Sequence, residues 1–274
     1  MTDRLPDPAL RKVEGASSVY FSHNGLKLHA LDFPGRAPAV VLVPGITSPA
    51  ATWAFFVRAL DLPNRVLVLD CRGRGYSDNR VGEHDLDAYA GDVKCLIDHL
   101  ELKAPELLGH SMGARVVARF DRVWPAVARR ICTMDPPLSG PGREPYPIPL
   151  DFYFNAMDAL EAGQSLAEMR AKSPGWSDER LIDRATWLLS CAREAVAGSH
   201  ASFHNESFHD DWKAGRSPAA FVYGLKSPVV RAEALGELQT LRPSARFIPV
   251  PGAGHMIPWD NLGGAVEALR QWYC

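Results

Sequence analysis

Six apolar runs of strand length (residues 39–43, 66–69, 106–108, 131–134, 219–223 and 247–250) are continuous rather than alternating. A strand that is apolar at every position is covered on both faces, as happens inside parallel sheets with helices above and below. Helical patterns separate the runs, over residues 50–60, 86–100, 112–123, 229–241 and 262–272. An alternating hairpin pattern around Asn24-Gly25, over residues 19–31, precedes them. Two hairpin strands and six further runs predict a mostly parallel, eight-stranded α/β sheet with helices on both faces.

One stretch breaks the rhythm. Residues 136–216 contain no clear strand, begin with the turn-rich Pro136-Pro137-Leu138-Ser139-Gly140-Pro141-Gly142-Arg143, and continue with helical patterns over 151–161 and 179–197. This predicts a helical cap inserted after the sixth strand, over the carboxyl ends of the strands, where such sheets bind ligands. The expected organisation is a core of residues 1–135 and 217–274 with a cap of 136–216. A chain of 274 residues, 46% hydrophobic, can bury one such core.

Several function classes are excluded at this level. A net charge of -2 with interspersed signs offers no footprint for nucleic acid or an anionic membrane. Met1 to Pro8 has no apolar signal region, and no run reaches the ~18 residues of a membrane span. The five cysteines are widely spaced without a CxxC pair, so reduced thiols in a cytoplasmic protein are expected. The nine histidines include no HExxH, and no metal or cofactor is expected. His204 and His209, five apart, lack the i,i+4 spacing that would let one helix face hold a metal.

The chemistry centres on Gly109-His110-Ser111-Met112-Gly113, between the short strand 106–108 and the helix that follows. A bare G-x-S-x-G also arises in loops by chance. Here the strand before and helix after it give the nucleophile-elbow context: glycines allow a strained turn that lifts the Ser111 hydroxyl clear of the sheet. A serine hydroxyl needs a base, and His255 stands in the glycine-rich loop Pro251-Gly252-Ala253-Gly254-His255 after the last strand. The usual place for the acid, after the seventh strand, reads Tyr223-Gly224-Leu225-Lys226-Ser227-Pro228 and holds no carboxylate. Asp135, at the end of the sixth strand on the same edge as Ser111, is the expected acid, and Asp260 is the alternative. An oxyanion hole needs two amides. Met112 follows the nucleophile, and Ile46 lies in the loop Val43-Pro44-Gly45-Ile46-Thr47-Ser48 after the third strand. Arg72, in Asp70-Cys71-Arg72-Gly73-Arg74-Gly75, is expected to brace loops, and that run lacks the third glycine of a nucleotide-binding fingerprint.

These landmarks together resemble the α/β-hydrolase superfamily, and within it the N-formylmaleamate deformylases of bacterial nicotinate catabolism. The likeness runs through residues 42–50, 69–75, 108–115, 135–143 and 253–260. In the cap it takes in Trp176-Ser177-Asp178-Glu179, Arg184-Ala185, Trp187-Leu188, Cys191, Phe203-His204 and His209. It does not extend to roughly the first eighteen residues or to 223–229. The resemblance implies an α/β-hydrolase fold and a Ser111–His255–Asp135 catalytic triad. It also implies an amidohydrolase reaction converting N-formylmaleamate and water to maleamate and formate. A carboxylate-bearing substrate needs cationic or hydrogen-bonding groups. Arg143 is the first expectation, followed by Arg184, Trp187 and His204, while Arg115 is as well suited to a structural role. Rival readings are a carboxylesterase, a hydrolase of enamide or C–C bonds in ring-fission products, a cofactor-free haloperoxidase-like enzyme, and a non-catalytic small-ligand binding protein. The expected partner is a small carboxylate substrate, and a homo-oligomer is compatible with the chain.

Overall fold

The computed structural model describes residues 12–273; the Met1 to Pro8 segment and Cys274, on which expectations above rest, lie outside the described residues. Eight strands form one sheet: β1 (Ser17–His23), β2 (Leu26–Phe33), β3 (Arg36–Val43), β4 (Asn64–Asp70), β5 (Glu106–His110), β6 (Arg130–Met134), β7 (Ala219–Gly224) and β8 (Arg246–Val250). Their order is β1-β2-β4-β3-β5-β6-β7-β8. The β1–β2 and β2–β4 pairs are antiparallel and every later pair is parallel.

The continuous apolar runs are explained by two cores. In β3, Val41 and Val43 enter one core while Val40 and Leu42 enter the other. Helices α2 (Leu86–His99) and α3 (Met112–Val123) pack on the first face. A 3-10 turn (Ala50–Trp53), α1 (Ala54–Leu60) and α11 (Leu262–Tyr273) pack on the second, α11 following the short α10 (Ile257–Asp260). Burying both faces of such a sheet supplies the main driving force, at about 25 cal/mol per Å² of apolar surface.

Between β6 and β7 the chain is helical: α4 (Leu150–Glu161), α5 (Leu166–Lys172), α6 (Asp178–Leu188), α7 (Arg193–Asn205) and α8 (Phe208–Ala214). Two expectations need correction. The pattern over 179–197 is two helices, because Ala192 N–H donates to the Gly73 carbonyl (2.8 Å) and Ser190 Oγ accepts from Gly75 N–H (3.2 Å). These bonds dock the break onto the loop after β4. The segment 136–216 is also not wholly a cap. Helix α8 packs Trp212 edge-to-face against Phe221 of β7 (5.6 Å) and Phe247 of β8 (6.3 Å), which places it in the layer on the sheet. Helix α9 (Ala232–Leu241) follows β7.

Candidate active site

Ser111 joins β5 to α3 with a φ of 55°, a left-handed conformation that bulky residues avoid. The turn is possible because its flanks are bare. A Cβ at Gly109 would run into the Gly113 carbonyl, and one at Gly113 would run into the Val43 carbonyl. Ser111 N–H donates to the Met134 carbonyl (2.8 Å), tying the elbow to the end of β6. Ser111 stands at the N-cap of α3, at the positive end of the helix dipole.

His255 comes from the loop after β8. Its Nε2 lies 2.9 Å from Ser111 Oγ and its Nδ1 lies 2.7 Å from Asp135 Oδ2. The carboxylate accepts a hydrogen bond from Nδ1–H, so Nε2 carries the free lone pair facing the serine hydroxyl. Asp135 is fully buried. Its Oδ1 accepts from Gly224 N–H (3.1 Å) and its Oδ2 also accepts from Ser227 Oγ–H (2.5 Å). Ser227 occupies the place after β7 where a carboxylate was sought; it donates a hydrogen bond to Asp135 instead of supplying a carboxylate. Asp260 plays a supporting part away from the imidazole. Its carboxylate accepts from Gly254 N–H (2.9 Å) and Trp176 Nε1–H (3.1 Å), securing the loop that carries His255.

His110 holds the same loop from below. Its Nε2–H donates to the His255 carbonyl (2.9 Å), and burial, with His255 and Arg184 nearby, pushes its pKa down to about 3. It therefore stays neutral beside the serine at ordinary pH.

Ser111 opens into a cavity of about 300 Å³ whose wall includes Ile46, Tyr146, Tyr153, Arg184 and His255. The Ile46 loop approaches closely: a Cβ on Gly45 would sit 3.2 Å from Ser111 Cβ. Buried Arg74, from the loop after β4, donates Nε–H to the Ile46 carbonyl (3.0 Å) and fixes that peptide. Arg184 of α6 reaches down to the Thr47 carbonyl (2.9 Å) and Ser48 Oγ (2.6 Å). Burial lowers its pKa from the usual guanidinium value. A guanidinium has five N–H donors in a fixed fork, so Arg184 suits a carboxylate in this cavity.

Three expected substrate-binding residues lie elsewhere. Arg143 is engaged in a two-point ion pair with Glu237 of α9 (3.0 and 2.6 Å) and borders a different cavity, because the turn-rich segment runs outward from β6. Trp187 is buried against Tyr76, ring to ring at 5.4 Å, on the face of α6 turned from Ser111. His204, on α7, packs its ring against His200 (5.2 Å) and is not in the cavity wall. Arg115 is structural: fully buried, it donates to the carbonyls of Pro137, Ser139, Ser202, Phe203 and Glu206. Arg72 pairs with Asp92 through two bonds (2.8 and 2.7 Å) and braces loops as expected.

Tyr146 and Tyr153, which the sequence did not single out, contribute hydroxyls 3.2 Å apart to the cavity. Burial raises both phenol pKa values, so both remain protonated donors. No sequence motif surrounds them.

The profile of the alpha/beta hydrolase family matches residues 40–268. N-formylmaleamate deformylase of Pseudomonas putida (strain KT2440) is 39% identical over 249 residues, 90% of this chain and 93% of that protein. The crystal structure of the N-formylmaleamic acid deformylase of Pseudomonas putida S16 superposes with a TM-score of 0.87 at 37% identity, covering 92% of this chain and 100% of that one. A 2-(acetamidomethylene)succinate hydrolase of Mesorhizobium japonicum is 26% identical over 81% of this chain and 83% of its own length. Among the described residues no helix is long and apolar enough to cross a membrane. With its strand order, its serine elbow and these matches, the chain belongs to the α/β hydrolase family.

Proposed function

We propose that the chain hydrolyses N-formylmaleamate to maleamate and formate through a formyl-serine intermediate. The observation that carries this reading is the Ser111–His255–Asp135 hydrogen-bonded chain, opening into a small cavity with Arg184 in its wall. The likeness to the Pseudomonas deformylases supports the choice of substrate.

His255 Nε2 takes the Ser111 proton as Oγ attacks the formyl carbon. Asp135 stabilises the resulting imidazolium. The Ile46 and Met112 amides hold the oxyanion, each such donor being worth about 3–4 kcal/mol of barrier. His255 then returns the proton to the departing maleamate nitrogen, which leaves readily because it sits between two carbonyls. Water deprotonated by His255 attacks the formyl-serine and releases formate. Arg184 holds the substrate carboxylate, and the Tyr146 and Tyr153 hydroxyls donate to its amide oxygen. The four described cysteines are free, which supports a reducing, cytoplasmic setting.

The test is formate release from N-formylmaleamate by the purified protein, with Ser111→Ala as control. Stoichiometric formate and maleamate, lost in the variant, are expected. A folded protein that cleaves p-nitrophenyl acetate but yields no formate would leave a serine hydrolase with another substrate, such as an enamide or simple ester.

A further inference from the structure

A second serine–histidine–aspartate chain crosses the other end of the sheet. His29 of β2 stands opposite Asp70 of β4 on one side and opposite Tyr20 of β1 on the other. Ser18, two residues before Tyr20, shares its face of the strand. His29 Nδ1 lies 2.7 Å from Asp70 Oδ2, and His29 Nε2 lies 3.0 Å from Ser18 Oγ. Asp70 and His29 are buried, at 2% and 1% exposure. The Asp70 carboxylate also accepts from the amides of Ala50 (2.6 Å) and Tyr76 (3.1 Å), which hold it in place. It therefore accepts a hydrogen bond from His29 Nδ1–H and leaves the Nε2 lone pair to the Ser18 hydroxyl, the arrangement that turns a serine into a nucleophile.

The chain ends in the open. Ser18 is exposed and borders a cavity of about 760 Å³ with Tyr20, Tyr76 and Trp187 in its wall. The chain ends on a hydroxyl that a small molecule can reach, beside the exposed ring of Tyr20 and the half-buried ring of Tyr76, against which a flat leaving group can pack.

We infer that Ser18 is a second nucleophile, activated by His29 and Asp70, which accepts the acyl group of small uncharged aryl esters. Ser18 Oγ bonds to the ester carbonyl carbon while its proton passes to His29 Nε2. The bond from that carbon to the phenol oxygen breaks, and His29 delivers the proton to the departing phenolate. The products are an acyl ester on Ser18 and one free phenol. Ser18 has ordinary strand backbone in a regular ladder with β2, not an elbow over a helix N-terminus. Transfer is therefore stoichiometric and slow, and the acyl-serine persists.

The inference stands apart from the deformylase reading, because its test removes Ser111. Full-length Ser111→Ala is treated with p-nitrophenyl acetate, and the acetylated peptides are mapped by mass spectrometry. One acetyl group on Ser18 is expected, with release of one equivalent of p-nitrophenol, and neither is seen with the Ser111→Ala/Ser18→Ala protein. Ser18→Ala alone leaves formate release unchanged. The labelling rate should fall at least tenfold in His29→Gln. Acetyl groups only on lysine or tyrosine, or on Ser18 at an undiminished rate in His29→Gln, would overturn the inference. Should His29→Gln fail to fold, Asp70→Asn is read in its place, with the same tenfold fall expected.

Discussion

Two serines end hydrogen-bonded chains of nearly equal length: 2.9 and 2.7 Å from Ser111 through His255 to Asp135, against 3.0 and 2.7 Å from Ser18 through His29 to Asp70. Their backbones differ. Ser111 sits at φ 55° between two glycines and heads a twelve-residue helix, while Ser18 lies in a seven-residue edge strand. Side-chain geometry prepares a nucleophile in both places. Only the elbow also gathers amides where the oxyanion forms, and charge stabilisation there is commonly the largest part of catalysis. Hydrogen-bond lengths alone thus do not distinguish a turnover site from an acyl acceptor.

The largest effect should separate the two serines directly. Ser111→Ala should lower the kcat of deformylation by about 10⁶-fold, the scale seen when a triad nucleophile is removed. Ser18→Ala should leave that kcat within twofold; equal losses in steady-state assays would erase the distinction. Next, Asp135→Asn should reduce kcat by about 10⁴-fold through the wrong imidazole tautomer, with KM little changed. Near-normal turnover would return the acid role to another residue.

Arg184→Gln tests the cavity, and Arg143→Gln is its comparison. Loss of a hydrogen bond to a charged group costs about 1.5–3 kcal/mol, so Arg184→Gln should lower kcat/KM for the carboxylate substrate about 10- to 150-fold. A neutral ester should be far less affected. Arg143→Gln, at an exposed ion pair with Glu237, should change neither. The reverse ranking would put the substrate carboxylate on the outer cavity.

The smallest effect concerns pH and stability. In the unfolded chain the His110 imidazole takes up a proton below about pH 6.5, whereas in the fold it does so only near pH 3. Acidification through that window therefore favours unfolding, by up to about 1.4 kcal/mol per pH unit for one such group. Above pH 6.5 the histidine is neutral in both states and contributes no slope. His110→Gln should flatten the decline in urea midpoints between pH 6.5 and 4. A shallower decline remains from His84 and His209, both pushed down to about 4 chiefly by burial. An unchanged slope would show that His110 is not held neutral.

Much of this was legible in the sequence, because local rules governed it. Continuous apolar runs marked strands buried on both faces, and Asn24-Gly25 marked the hairpin. Gly109 and Gly113 marked the elbow, since the turn's carbonyls leave no room for a Cβ at either position. Asp135 was reached by elimination, and it now lies against His255. The choice among arginines was not legible. Arg143 follows a Pro-Gly turn and Arg184 lies in a helical run, and neither context says what its guanidinium meets: one faces Glu237 and the other the Ser111 cavity. The break between α6 and α7 was hidden too, because bonds to Gly73 and Gly75 overrode a sequence able to continue as helix.

What the sequence by itself determined is whatever short-range sterics and burial dictate: the strands, the elbow, and the serine and histidine placed beside it. Tertiary structure alone decided which distant groups meet. Tyr146 and Tyr153 in the cavity, Ser227 on Asp135, and Ser18 against His29 are such meetings. The physical reason is that each depends on strand register or on how a helix docks against the sheet. Those quantities are set by packing of the whole core, and no local pattern encodes them.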